Sequence, residues 1–109
     1  MKTFTLKTKY ATYKDCFFLV SRYIFDESLA ISIWNKEDGP IVNLTRYLGD
    51  AGEDEAYLDV NNAPWSIGLV TELGIAKPLE KVTRSGFVIY PLYKFDLEKL
   101  DEYTLKEEY

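Results

Sequence analysis

Apolar and polar residues alternate along much of the chain, which is the pattern of half-buried β-strands. The alternation predicts strands over residues 4–11, 15–23, 29–34, 41–45 and 56–60. Asp38 and Gly39 lie in a polar stretch between the third and fourth of these strands, and both residue types tolerate the positive φ of a tight turn. This stretch is the clearest hairpin signal, and short connections of this kind favour antiparallel pairing.

The pattern changes to a helical period after residue 60. Asn61 or Asn62 is expected to cap the helix, Pro64 suits its first turn, and Gly74 suits its C-terminal cap. Apolar residues recur every four positions between these caps and predict a face that packs on the sheet: Trp65, Leu69 and Leu73.

The rest of the chain predicts one more strand and a short helical turn. A polar loop follows Pro78, and residues 86–95 resume strand character, with Pro91 indicating an edge position or a bulge. Asp96 can cap a turn over residues 97–103, and the acidic tail over 103–109 is expected to fray. The sequence therefore predicts one α+β domain over residues 1–109: a curved antiparallel sheet of about five or six strands, with one main helix packed on one face.

The composition excludes several kinds of catalytic site. The chain has no histidine and a single cysteine, Cys16, which lies in an apolar run and is expected to be a buried thiol. Nucleophilic triads and the usual zinc sites cannot be assembled without histidine, so only a carboxylate site for magnesium or calcium stays open. No catalytic residue, metal ligand or cofactor is identified. Because no signal peptide and no membrane-spanning apolar segment is recognisable, we expect a cytoplasmic protein without membrane contact.

The net charge of −5 is unevenly distributed. Residues 50–59 carry five acids and no base, and these are candidate partner-binding residues: Asp50, Glu53, Asp54, Glu55 and Asp59. They could imitate a phosphate backbone or bind a basic surface of a partner, or they could simply form a solvated loop. Their spacing lacks the ligand order of a calcium-binding hand. With this overall charge, direct nucleic-acid binding is not expected.

Arg84, Tyr90 and Tyr93 form a second candidate for partner binding. Arginine and tyrosine are favoured in binding hot spots, and an open strand edge can pair with a partner's strand. The alternative is a turn that only positions an edge strand. A long edge strand is also compatible with a symmetric homodimer.

Two stretches carry a family resemblance. Residues 59–65 read DVNNAPW, and residues 84–97 read RSGFVIYPLYKFDL. Together they resemble an uncharacterised family of small proteins carried by conjugative elements, plasmids and prophages of Gram-positive bacteria, with similarity over roughly residues 28–101. The lead-in Lys81-Val82-Thr83 departs from the glycine-containing one of the family. The resemblance implies an accessory gene on a mobile element, and no mechanism, because the family has no assigned activity.

Three functions remain open on the sequence. The favoured one is a non-catalytic protein that binds a host or element-encoded protein, and in a specific form inhibits a host nucleic-acid enzyme of defence, as anti-CRISPR proteins do. The alternative is a small regulatory nucleic-acid-binding protein. It would use the basic residues of the N-terminal strand with neighbouring tyrosines: Lys2, Lys7, Lys9, Lys14, Tyr10 and Tyr13. The third is a carboxylate- and metal-dependent hydrolase.

Overall fold

Most strands of the fold pair with the strand that comes before or after them in the chain. The computed structural model describes residues 1–106, and within them eight strands and two helices are formed. The strands are β1 (Phe4–Lys7), β2 (Thr12–Arg22), β3 (Leu29–Asn35), β4 (Gly39–Asn43), β5 (Thr45–Arg46), β6 (Glu55–Leu58), β7 (Ala76–Ser85) and β8 (Val88–Phe95). The helices are α1 (Ser66–Leu73) and α2 (Leu97–Glu102).

The strands form two antiparallel four-stranded sheets, so the prediction of one curved sheet under one main helix is wrong. The order is β1-β2-β3-β4 in the first sheet and β5-β6-β8-β7 in the second. The chain leaves the first sheet at Leu44, which is fully buried. Its N–H donates to the carbonyl of Ile31 at 2.9 Å, and its carbonyl accepts from the N–H of Asp59 at 2.9 Å. These bonds direct the chain from β4 into β5, so the strand predicted over 41–45 is divided between two sheets.

The predicted helix is present but short. α1 has eight residues and begins after Trp65, whose side chain makes no capping hydrogen bond. Asn62 instead donates from its backbone N and its Nδ2 to the carboxylate of Asp59, at 3.3 and 3.0 Å. The cap predicted at Asn61 or Asn62 is therefore not formed, because both residues belong to the turn before the helix. Gly74 ends α1 with a φ of 68°, as predicted.

The C-terminal segment is held against β2. Asp96 caps α2 as predicted, since its carboxylate accepts from the N–H groups of the second and third residues after it, at 3.1 and 3.2 Å. The N–H of Phe18 then donates to the carbonyl of Tyr103 at 2.8 Å, and the N–H of Leu105 donates to the carbonyl of Phe18 at 2.9 Å. Of the tail predicted to fray, residues 107–109 lie outside the described residues.

β7 occupies the place of the predicted polar loop after Pro78. Its ten residues pair with β8, with a register shift between Pro78 and Val82 where Glu80 has a φ of 59°. Because β7 is an edge strand, most of its side chains are exposed and the apolar alternation of a strand is missing. β8 lies between β6 and β7, and Pro91 falls just outside the part of β8 that pairs with β6.

Both sheets and α1 contribute to one hydrophobic core, to which Phe18, Leu58 and Val70 belong. Cys16 is fully buried in this core, as predicted, and burial raises the pKa of its thiol. Within residues 1–106, none of the helices has the length and apolar character needed to cross a membrane.

A smaller core lies on the opposite face of the second sheet. Its buried members are Tyr57, Tyr90 and Leu92, and they point away from the main core because side chains alternate along β8. Leu48 and Ala51 pack onto this cluster from the segment that joins β5 to β6. The acidic loop belongs to this segment, and the segment shields the smaller core from solvent through these two side chains.

Candidate protein-binding surface

Four of the five candidate carboxylates of the acidic segment, all but that of Glu53, make contacts within residues 1–106. Asp50 lies 2.6 Å from Nζ of Lys81, and this hydrogen bond raises the pKa of the Lys81 ammonium. Glu55 accepts from the N–H of Gly52 at 2.8 Å. Asp59 is only 6% exposed and accepts from Asn62. Glu55 and Asp59 hold local turns together, whereas the Asp50 side chain is 84% exposed and pairs with Lys81 at the surface. Glu53 is exposed, and Asp54 is partly exposed beside Arg22.

Arg22 connects the acidic loop to the turn between β2 and β3. Its Nη1 donates to the carbonyl of Glu27 in that turn at 2.8 Å, and also to the carbonyl of Glu53 in the loop. Its Nη2 lies 3.8 Å from the carboxylate of Asp54. The Arg22 guanidinium at the end of β2 therefore brings the turn that contains Glu27 next to the loop that contains Glu53 and Asp54.

Exposed apolar side chains lie in the same turn after β2 and in the segment after β5. Ile24 is 91% exposed and Phe25 is 83% exposed, both in the turn after β2, and Tyr47 is 40% exposed at the end of β5. The ring of Tyr47 lies 5.7 Å from the ring of Phe25 and 5.5 Å from that of Tyr23, centroid to centroid. Clusters of exposed apolar side chains of this kind mark interaction sites more often than single ones do.

Tyr23 is the partly buried member of this aromatic cluster. Its hydroxyl is hydrogen-bonded to Oγ1 of Thr45 at 3.1 Å, and burial raises the pKa of this phenol. We name the resulting patch the aromatic–acidic surface. It consists of Ile24, Phe25, Tyr47, Glu27, Glu53 and Asp54.

The second candidate group, Arg84, Tyr90 and Tyr93, does not form one surface. Side chains alternate along β8, so its two tyrosines point to different faces of the sheet. Tyr90 is 2% exposed and Tyr93 is 6% exposed, and they lie on opposite faces of the second sheet. Arg84 is exposed on β7 opposite Ile89. The two tyrosines are core residues in this structure, and they do not form a joint contact surface with Arg84.

Four residues of the surface were not predicted from the sequence: Ile24, Phe25, Glu27 and Tyr47. The pair Ile24-Phe25 directly precedes the polar Asp26-Glu27-Ser28 turn. Two large apolar residues inside a turn region are a usable signal, because turns otherwise favour polar residues and glycine. The neighbourhood of Tyr47 depends on the packing of β5, which no local pattern indicates.

The described part of the chain, residues 1–106, contains no group of three or more cysteines, aspartates and glutamates placed to hold a metal ion.

Comparison with known proteins relates most of the chain to a family model. The model of a family described as a domain of unknown function, DUF4313, matches residues 16–108. No curated protein and no solved structure matches the chain.

Proposed function

The chain belongs to the DUF4313 family, and we propose that it is a non-catalytic, protein-binding accessory protein of a mobile genetic element. One observation carries this proposal: Arg22 joins a turn and a loop segment distant in sequence, and these two segments together carry three exposed apolar side chains and three acidic residues. The resemblance of residues 59–65 and 84–97 to small proteins of Gram-positive mobile elements supports the genetic setting.

The chemistry of the surface indicates the kind of partner. Aromatic and large aliphatic side chains that lose their water on binding supply most of the affinity in protein interfaces. Carboxylates around them add selectivity and a faster encounter with a cationic partner. The matching surface is an apolar recess bordered by lysine or arginine, such as the cleft of a nucleic-acid enzyme. Occupation of that cleft would inhibit a host defence nuclease in the manner of an anti-CRISPR protein.

The proposed contact is narrower than the acidic segment as a whole. Glu55 and Asp59 accept hydrogen bonds from local turns, so their replacement would alter folding as well as binding. Asp50 is paired at the surface with Lys81. Within residues 1–106, the carboxylates of Glu27 and Glu53 make no hydrogen bond or ion pair, and that of Asp54 faces Arg22 at 3.8 Å.

A capture experiment tests the role of the charges. Tagged protein is incubated with cytoplasmic extract of a Gram-positive host, and bound proteins are quantified by mass spectrometry. We expect one nucleic-acid enzyme to be enriched by the natural chain, and the triple variant Glu27→Gln, Glu53→Gln, Asp54→Asn to retain about tenfold less of it. The matched control removes three exposed carboxylates elsewhere, as Glu37→Gln, Glu72→Gln, Glu98→Gln, and should retain the enzyme fully. Equal losses in both variants would point to net charge, and would contradict a specific surface.

A second candidate function is single-stranded nucleic-acid binding by the turn between β1 and β2. The observation that favours it is the side chain of Tyr10, 89% exposed with Nζ of Lys9 5.8 Å from its ring centroid. Lys7 and Lys14 are also exposed nearby in sequence. Lys2 contributes less, because it pairs with Glu102 at 2.9 Å, a contact that raises the pKa of Lys2.

Fluorescence anisotropy with a labelled oligothymidylate tests this second function. Binding through Lys7, Lys9 and Lys14 should weaken with salt with a log–log slope of about −2, and Tyr10→Ala should weaken it further through lost stacking. Absence of binding at physiological ionic strength would exclude this function and leave the protein partner as the proposal.

A further inference from the structure

A groove of about 450 Å³ lies where β7 begins, β8 ends and α2 starts. It does not overlap the aromatic–acidic surface. Lys77, Lys94 and Lys99 line it together with the apolar side chains of Pro78 and Leu79. Three lysines therefore line one concave site in a chain whose net charge is −5.

The register of the sheet places two of these lysines face to face. Lys77 on β7 is the cross-strand partner of Lys94 on β8, so both side chains leave the same face of the second sheet. Like charges directly opposite each other on a sheet destabilise the strand pair. The third cation, Lys99 on α2, reaches over the end of α1, where its Nζ lies 4.0 Å from the position that a Cβ on Gly74 would occupy.

Asp96 and Glu55 offset part of the positive charge at the groove, and three lysines against two carboxylates leave it positive. Asp96 lines the groove, but its carboxylate accepts from the backbone of α2. Glu55 is the other cross-strand partner of Lys94, and its carboxylate accepts from Gly52. Within residues 1–106, no carboxylate lies within 4.0 Å of the Nζ of Lys77, Lys94 or Lys99.

We infer that this groove binds the phosphate group of a small ligand. Lysine ammonium groups bind phosphate as compact point charges, and charge-assisted hydrogen bonds to phosphate are stronger than neutral ones. A phosphate bound between Lys77 and Lys94 would attract both ammonium groups and so offset their mutual repulsion. The exposed Leu79 beside them offers an apolar contact to the rest of an organic phosphate.

Titration of the full chain with inorganic pyrophosphate and, separately, with ADP tests the inference by NMR chemical-shift changes. Shifts are expected at the amides of residues 76–79 and 94–99, saturating with added ligand. The double variant Lys77→Gln, Lys94→Gln should bind at least about tenfold more weakly. The control Lys36→Gln, Lys106→Gln removes the same charge from exposed lysines outside the groove, and should bind as the natural chain does. Tighter binding of ADP than of pyrophosphate would assign the ligand as an organic phosphate, and equal binding would assign it as the inorganic group.

A second measurement uses thermal stability. Without phosphate, Lys77→Gln should melt at a higher temperature than the natural chain, because it removes the like-charge pair and leaves Lys94 opposite Glu55. With pyrophosphate, the natural chain should gain stability and the variant should gain little. Shifts spread over all lysines, or equal affinity of the double variant and its control, would overturn the inference.

Discussion

Replacement of Phe18 by alanine is expected to lower the free energy of unfolding by about 3–5 kcal/mol. Phe18 is fully buried in the core that both sheets share, and its ring centroid lies 4.8 Å from that of Phe4. The truncation removes aromatic burial and leaves a cavity next to Tyr103, whose ring is 6.5 Å away. Because domains of this size have a total stability of roughly 5–15 kcal/mol, much of the margin would be lost. Urea unfolding followed by tryptophan fluorescence measures the change.

Two controls separate the cavity from the loss of an aromatic ring in general. Phe18→Leu keeps most of the volume and should cost less than about 1.5 kcal/mol. Phe87→Ala removes a fully exposed ring at the turn between β7 and β8, and should change stability by less than about 0.5 kcal/mol. A loss below about 1 kcal/mol for Phe18→Ala would contradict the shared core, because only a site that is not closely packed tolerates such a truncation.

Where local chemistry determines a structure, the sequence was sufficient to predict it. The hairpin between β3 and β4 follows from a turn in which Gly39 adopts a φ of 73°. The end of α1 follows from Gly74, and the start of α2 from the side chain of Asp96. Each of these depends on residues within about four positions of one another, which is the reach of turn and capping rules.

The division into two sheets could not be predicted, because it depends on partners distant in the chain. Leu44 carries no turn signal, and its transition from one sheet to the other is fixed by backbone bonds to Ile31 and to Asp59. β7 was missed for a different reason. An edge strand with most of its side chains in water has no apolar face to alternate with its polar one.

The candidate site was predicted in part. The acidic loop was recognised from its run of carboxylates, whereas the bonds from Lys81 to Asp50 and from Arg22 to the loop had no signal in the sequence. Residue type alone did not indicate that Tyr90 and Tyr93 are buried. Tyrosine is common in hot spots, but its exposure depends on the face of a sheet and on what covers that face.

Phe25→Ala is expected to weaken partner binding by at least about 2 kcal/mol, or roughly thirtyfold, which is the effect of removing a hot-spot residue. Phe25 is 83% exposed in the free protein, so its truncation should leave stability almost unchanged. Its ring lies against Tyr47, and the pair forms the apolar centre of the aromatic–acidic surface. Capture from Gram-positive extract, followed by affinity measurement with the purified partner, gives both the loss and its magnitude.

Phe87→Ala is the matched control, because it removes the same side chain from another fully exposed turn. Full binding by Phe87→Ala together with loss in Phe25→Ala would place the contact on the turn between β2 and β3. The reverse result would move the contact to the hairpin of β7 and β8, where Arg84, Val82 and Ile89 are exposed. Equal retention by both variants would contradict an aromatic anchor. The interface would then depend on charge, since the carboxylates beside Arg22 are the remaining feature of the surface.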